Sequence, residues 1–460
     1  MSLWLTLHAV SWAMQPDLFP ILDEIGNPSR FLNGVEWKEI TVLPSAAYND
    51  RPVGFALERL WFDAFGFAYL PQLVCLLAIH AANLALGFLL FRRLGVSVLL
   101  SIAGLCVFGS LSTTVQTVTY LGAIFDVVCL FFLLASIVVI LHPKPWAYPL
   151  SALLFLLALR SKEFAIVVPV LLIGIGLKDR VPILSIVKRL WIHLAIWVIF
   201  LVKYLLLIGR MMSNLAPANP YFIRADPKTI MESFSYYTAL IFAADENSRK
   251  TYVVVGCIVV GAVFAVYRRN RSALWAFAAY ILMLLPVSII PGARSPFYTY
   301  AAQLFLLLGI ALIVDDVVEL LVRQRPLPWR VSAAIATLVL AALALFHRSD
   351  YFQDRVNFTL RIRKISAVTG ADAARLMPML TPDSWIFVNH AENTPWLLVP
   401  GPCAYFDLLA RRRSFHCVLG TSQRELSPAY ESHLPPKYYL VYGRDGSLRT
   451  ADFKQRLEAK

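Results

Sequence analysis

Eleven apolar runs, each about 14 to 25 residues long, occupy most of the chain as far as residue 346. They cover roughly 1–14, 69–91, 95–112, 119–141, 146–160, 164–177, 187–208, 251–267, 272–290, 298–322 and 328–346. At 1.5 Å of rise per residue, about 20 apolar residues cross the ~30 Å hydrocarbon core of a bilayer as a helix. Composition agrees. Of 460 residues, 58% are hydrophobic and 15% charged, against ~45–50% and ~25% in soluble domains. A water-soluble enzyme and a disordered chain are both excluded. The expected fold is an all-α polytopic membrane protein of about 11 transmembrane helices over residues 1–346, followed by a small extracytoplasmic α/β domain over 347–460.

The 42 basic residues outnumber the 29 acidic ones. No nucleic acid is needed to explain this, because the basic clusters fall between apolar runs, where orientation signals belong. If the spans alternate, Arg92/Arg93, Lys144, Lys178/Arg180/Lys188/Arg189, Arg268/Arg269/Arg271 and Arg323/Arg325/Arg330 share one side. That side reads as cytoplasmic, together with the N-terminus. The opposite face receives the first outer loop 15–68, the short turn 113–118, Arg160–Glu163, loop 209–250, loop 291–297 and the C-terminal domain. Arg249 and Lys250 are exceptions, but long loops translocate largely regardless of charge. The first run gives about 21 Å of helix, short of a span, and lacks a basic signal-peptide region. Either it is tilted in a thinned bilayer or the true start lies upstream of Met1; the second is the expectation. Runs 146–160 and 164–177 are short too, which places their connecting tetrad Arg160-Ser161-Lys162-Glu163 below the outer membrane surface.

From His347 the pattern changes. A basic helical stretch, Arg355 to Lys364, precedes expected strands at Trp385–Val388, Trp396–Val399 and Tyr438–Tyr442. Pro400-Gly401-Pro402 and Gly443-Arg444-Asp445-Gly446 are turn signals between them. Cys75, Cys106, Cys129 and Cys257 lie in apolar runs and read as packing residues. Cys403 and Cys417 lie in the polar tail and are expected to pair in an oxidising compartment.

The first outer loop is rich in acids: Asp17, Asp23, Glu24, Glu36 and Asp50. Asp17 and the Asp23/Glu24 pair follow the first apolar run, so they lie at headgroup level, where partial desolvation suits a general base. The alternative for each is a solvated loop acid. Asp126 interrupts an otherwise uncharged span, and an aspartate there costs ~2.5–3.5 kcal/mol on insertion scales. It faces a polar cavity with a task, or it reaches back to the headgroups. His80 and Asn83, at i and i+3, share a helical face and read first as interhelical hydrogen-bond glue. Arg160, Lys162 and Glu163 form the strongest local signal: a recessed cationic turn suits a lipid phosphate. Arg294, before the aromatic Phe297-Tyr298-Thr299-Tyr300, is a second outer-face cation or an interfacial anchor. The eight histidines show no metal-ligand spacing, so no site is visible for a divalent metal. No glycine loop for a nucleotide is present either.

In order, the acidic first loop, Tyr48-Asn49-Asp50-Arg51-Pro52, Ile79-His80-Ala81-Ala82-Asn83, the Val115–Asp126 stretch and Ser161-Lys162-Glu163 resemble the GT-C superfamily of polyprenyl-phosphate-sugar glycosyltransferases. Within it, protein O-mannosyltransferases and their bacterial relatives are the most similar branch. Such a resemblance implies a multi-pass enzyme of the bacterial inner membrane with a polyprenyl-phosphate sugar as donor. Asp17 or Asp23, with Glu24 beside it, would be the catalytic base, and Asp126 the acid of the fourth span. Lys162, with Arg160 and Arg294, would meet the carrier phosphate, while Glu163, Tyr48, Arg51, His80 and Asn83 support the site. There are departures: relatives often carry Arg where Ile124 stands, Asn49-Asp50 is inserted, and the C-terminal domain has no counterpart. The acceptor is a polysaccharide, a glycolipid or a protein. Two other expectations stand beside this one: a transporter or flippase for a lipid-linked sugar, and a non-catalytic assembly subunit. Oligomeric state is not legible.

Overall fold

A computed structural model of the chain describes residues 37, 40, 51–66, 68–212, 222–241, 249–324, 364–381, 384–390, 406, 415–420, 426, 432, 436–443 and 447–451. The chain divides into two compact units. One comprises Met1–Val10, Cys75–Thr119 and Ala123–Gln353; the other comprises Ser11–Val74, Tyr120–Gly122 and Asp354–Lys460.

The helices follow the apolar runs. In chain order they are α1 (Pro52–Phe65), α2 (Tyr69–Arg93), α3 (Val98–Ser110), α4 (Ser112–Thr119), α5 (Ile124–Ile140) and α6 (Ala147–Leu159), then α7 (Val168–Lys178), α8 (Ile183–Met212), α9 (Pro227–Ile241), α10 (Arg249–Arg268), α11 (Arg271–Ser288) and α12 (Tyr300–Gln324). Among the described residues, five helical segments are long and apolar enough to cross a membrane: Tyr69–Arg93, Leu121–Ile140, Ile183–Lys203, Arg271–Ser288 and Pro296–Leu320. The bent pair α3–α4, with 61° between its halves, makes a sixth. This is the character of a helical membrane protein. The expected runs 1–14 and 328–346 lie outside the described residues.

Three connections differ from expectation. Loops 15–68 and 209–250 contain helices α1 and α9, which lack the long apolar run that marks a span. Turn 113–118 is helix α4, with six of its eight residues buried. Its sequence Ser-Thr-Thr-Val-Gln-Thr-Val-Thr looks like a polar turn, yet Thr117 and Thr119 hydroxyls donate back to the carbonyls of Thr113 and Val115, each at 2.7 Å. Gln303 of α12 then accepts from Thr113 at 2.6 Å and donates to Thr114. With its four threonine hydroxyls paired, the segment can sit inside.

Small residues bring the helices of the larger unit together, as lipid-exposed bundles require. Ser136 of α5 and Ser151 of α6 each donate to the other's carbonyl at 2.9 Å, and His193 Nε2 of α8 meets Ser151 Oγ at 2.9 Å. Gly174 leaves room for Trp275, whose indole N–H donates to the Leu171 carbonyl at 2.9 Å. At Gly309 of α12, an added Cβ would stand 2.9 Å from the Phe277 ring of α11. Gly309→Leu is therefore expected to lower stability by about 1–3 kcal/mol through overpacking, read as a fall in the thermal unfolding midpoint in detergent.

In the other unit, helix α13 (364–376) precedes a four-stranded sheet of β1 (Ser384–His390), β2 (Phe415–Gly420), β3 (Lys437–Tyr442) and β4 (Leu448–Thr450), ordered β2-β1-β3-β4. β1 runs parallel to β2 and β3, and β4 is antiparallel to β3. Alternation sorts the central strands: Phe387 and Tyr439 cluster with Leu426 on one face. Tyr442 meets Thr369 of α13 at 3.2 Å. Expected strands 385–388 and 438–442 lie within β1 and β3, while 396–399 is outside the described residues. Neither β2, interrupted by His416 and Cys417, nor the three-residue β4 carries an alternating apolar signal. Cys417 is disulfide-bonded, whereas Cys75, Cys106, Cys129 and Cys257 are free thiols. Cys403, the remaining cysteine, lies outside the described residues.

Candidate functional site

The site is built around the turn that joins α6 to α7. Three backbone N–H groups close on the end of α6: Arg160 on Leu156, and Ser161 and Lys162 both on Ala158, at 2.9 to 3.0 Å. Ser161 Oγ donates to the Leu157 carbonyl at 2.7 Å. The turn therefore buries Ser161 and Lys162 without stranding their backbone. A short 3₁₀ turn, Glu163–Val167, then leads into α7.

Helix α5 grips this turn twice. Lys162 Nζ lies 2.6 and 2.5 Å from the two carboxylate oxygens of Asp126, and Cys129 Sγ donates to the Lys162 carbonyl at 3.7 Å. Asp126 is 1% and Lys162 6% exposed, so the ion pair is a buried one. Asp126 is the third residue of α5, behind a 3₁₀ turn, Leu121–Ala123, that belongs to the same apolar span Leu121–Ile140, so it lies about one and a half turns inside that span. At Gly122 an added Cβ would lie 2.6 Å from the Tyr120 ring, so a larger residue there would have to push the ring aside. At the first turn of α5 the carboxylate also meets the positive end of the helix dipole.

Aromatic rings surround the ammonium. The Tyr298, Phe297 and Phe164 ring centres stand 4.6, 5.5 and 5.8 Å from Lys162 Nζ, within cation–π range. Tyr298 and Phe297 come from a 3₁₀ turn, Pro296–Thr299, just before α12, which packs against α4, α9 and α11. Three residues earlier, Arg294 stacks its guanidinium 4.9 Å from the Tyr236 ring of α9. Burial pushes the neighbouring Tyr237 phenol well above its ordinary range, and Arg294 offsets part of that shift.

Behind this arrangement lies an uncharged network. His80 Nδ1 and the Tyr300 hydroxyl are 2.6 Å apart, and Asn83 Nδ2 donates to the Val127 carbonyl at 3.0 Å and to Tyr300 at 3.2 Å. His80 and Asn83 thus fasten α2 to the start of α5 and to α12, the glue role their spacing suggests. Tyr300→Phe would leave His80 without this partner in a buried setting. A loss of about 1–3 kcal/mol is expected, measured as detergent-solubilised unfolding against the wild type.

No protein-family model matches this chain, and no curated protein does.

Of the residues singled out from sequence, the structure brings together Asp126 and Lys162. Arg160 and Glu163, half-buried, flank Lys162 in the same turn, and Arg294 belongs to the loop whose rings cover it. Arg51 sits at the N-terminal end of α1, in the other unit, its carbonyl accepting from Phe55 N–H at 3.0 Å. Asp17, Asp23, Glu24 and Tyr48 lie outside the described residues. Sequence reasoning missed the roles of Phe297, Tyr298, Tyr300 and Gln303, whose only signal was an aromatic-rich helix start. It also missed Glu58, a carboxylate buried on the inner side of α1. Among the described residues, no group of three or more His, Cys, Asp or Glu side chains could hold a metal ion.

Chemically, the arrangement is a fixed positive charge in a poorly hydrated setting, held by a carboxylate and walled by rings. Both Asp126 oxygens are committed to Lys162, which suits a positioning role for Asp126 better than proton abstraction. An incoming phosphate oxygen would share the ammonium with Asp126.

Proposed function

We propose that the protein is a membrane glycosyltransferase of GT-C type, moving a sugar from a polyprenyl-phosphate carrier to an acceptor hydroxyl on the extracytoplasmic face. In this scheme the acceptor gives its proton to Asp17 or Asp23 and attacks the anomeric carbon. The carrier phosphate leaves, and its growing charge is met by Lys162, with Arg160 and Arg294 contributing. A preorganised cation aimed at developing charge in a water-poor site is worth several kcal/mol. The observation that carries the proposal is the buried Lys162–Asp126 pair under the rings of Phe297 and Tyr298. A buried charge among apolar helices is seldom kept without a task. The disulfide at Cys417 supports an oxidising, extracytoplasmic side for the C-terminal domain; the bacterial inner membrane is the location that goes with the proposed donor.

The transporter reading has one observation in its favour, the sharp break between α3 and α4, since many secondary transporters build their substrate and ion sites from discontinuous helices. Purified protein in detergent, given a panel of polyprenyl-phosphate hexoses, separates the two. Sugar released without any membrane gradient supports the transferase. Movement of the donor across proteoliposomes with no release supports transport instead.

A further inference from the structure

At the far end of α5 from Asp126 lies a second concave site. A pocket of about 230 Å³ opens where the ends of α5 and α7 meet the starts of α6 and α8. Its walls are mixed: Leu141, Ile175 and Leu190 are among the apolar residues, and His142, Tyr148 and Arg189 among the polar ones. The shape is set by local chemistry. Helix α7 ends in a Schellman turn, with Val181 N–H donating to the Gly176 carbonyl at 2.9 Å and Arg180 at a φ of 61°. Gly176 and Val181 both line the pocket, and a Cβ at Gly176 would collide with Ile186 of α8 at 2.6 Å.

Charge around this pocket is one-sided. Arg93 at the end of α2 donates to the Leu141 carbonyl, part of the pocket wall, at 3.0 Å. Lys144, Arg180 and Lys188 neighbour lining residues in sequence. Among the described residues Asp179 is the only acid in the lining, and it is paired with Lys178. Between Val127 and Ala225 the sequence holds just one other acid, Glu163, at the opposite end of α6. Beside the pocket, α8 presents Leu184 and Trp191, each 64% exposed, on a span that is little covered by protein. Cations at a concave mouth and a bare apolar helix face beside it match a ligand with a phosphate at one end and hydrocarbon at the other.

We propose that this pocket binds the headgroup of an anionic phospholipid, its phosphate against Arg189 and Arg93 and its acyl chains along α8. Basic pockets between membrane helices are known to take such headgroups. The site is separate from the Lys162 turn and does not depend on the transferase reading.

Native mass spectrometry of the full chain in detergent tests it, with phosphatidylglycerol, phosphatidylcholine and soluble glycerol 3-phosphate as probes. Phosphatidylglycerol should bind in preference to phosphatidylcholine. Arg189→Gln and Arg93→Gln should each weaken phosphatidylglycerol about fivefold, near the ~1 kcal/mol expected per interfacial cation. Lys228→Gln, an exposed site elsewhere, should change nothing. Equal binding of the two lipids, or arginine variants that bind like the wild type, would overturn the lipid site. Glycerol 3-phosphate binding as tightly as phosphatidylglycerol would overturn it too, in favour of a free phosphate.

Discussion

Lys162→Ala is expected to weaken donor binding and slow sugar transfer together. In the proposed scheme its ammonium would meet the carrier phosphate in both ground and transition states, so affinity and turnover would fall as one. The loss in rate is expected at about 10²–10³, the scale seen when one preorganised donor to developing charge is removed. Stability complicates the comparison. Removing Lys162 alone takes the ion pair away from a buried Asp126, at about 3–5 kcal/mol. The double variant Lys162→Met with Asp126→Leu removes both charges and should unfold closer to the wild type, yet remain inactive. Lys162→Arg should restore only part of the activity, because a planar fork does not replace a compact ammonium between carboxylate and rings. Unfolding midpoints and donor affinities of these three variants, measured in one detergent, separate the two effects. A double variant with native turnover would reduce the pair to a packing device.

The second large effect concerns the base. Asp17→Asn or Asp23→Asn is expected to slow transfer by about 10²–10⁴, the usual contribution of a positioned proton acceptor. Donor affinity should be nearly unchanged, since in the proposed scheme the acid would touch the acceptor proton and not the carrier. Asp17 is the stronger candidate of the two. Asp126→Asn should behave differently, loosening Lys162 and so weakening donor binding as well as turnover. Near-native turnover in both first-loop variants would move the base to Asp126 and overturn its positioning role.

Much of the helical frame was legible because lipid imposes length. Runs from 69–91 to 298–322 all became helices, with ends shifted by only a few residues for most. What sequence obscured were segments whose burial depends on partners far along the chain. Helix α4 looks like a turn until Gln303, about 190 residues away, satisfies its threonines. Asp126 and Lys162 each stood out as a charge in apolar surroundings, yet nothing local says that residues 36 apart form one ion pair. The same holds for Tyr300, which joins His80 across 220 residues. Helical spacing gives a face, and only the tertiary fold supplies what the face meets. Strand β1 was visible because both its faces are apolar, whereas β2 takes its place from pairing with β1.

The most direct test of the central claim is release of free polyprenyl phosphate by purified protein in detergent, following a polyprenyl-phosphate hexose beside an acceptor-containing membrane extract. The wild type should release carrier and transfer the sugar with no gradient present. Both signals should fall by about 10²–10³ in Lys162→Ala and in the charge-free double variant. Donor that binds but stays intact in the wild type, or carrier release that survives loss of Lys162, would contradict the account.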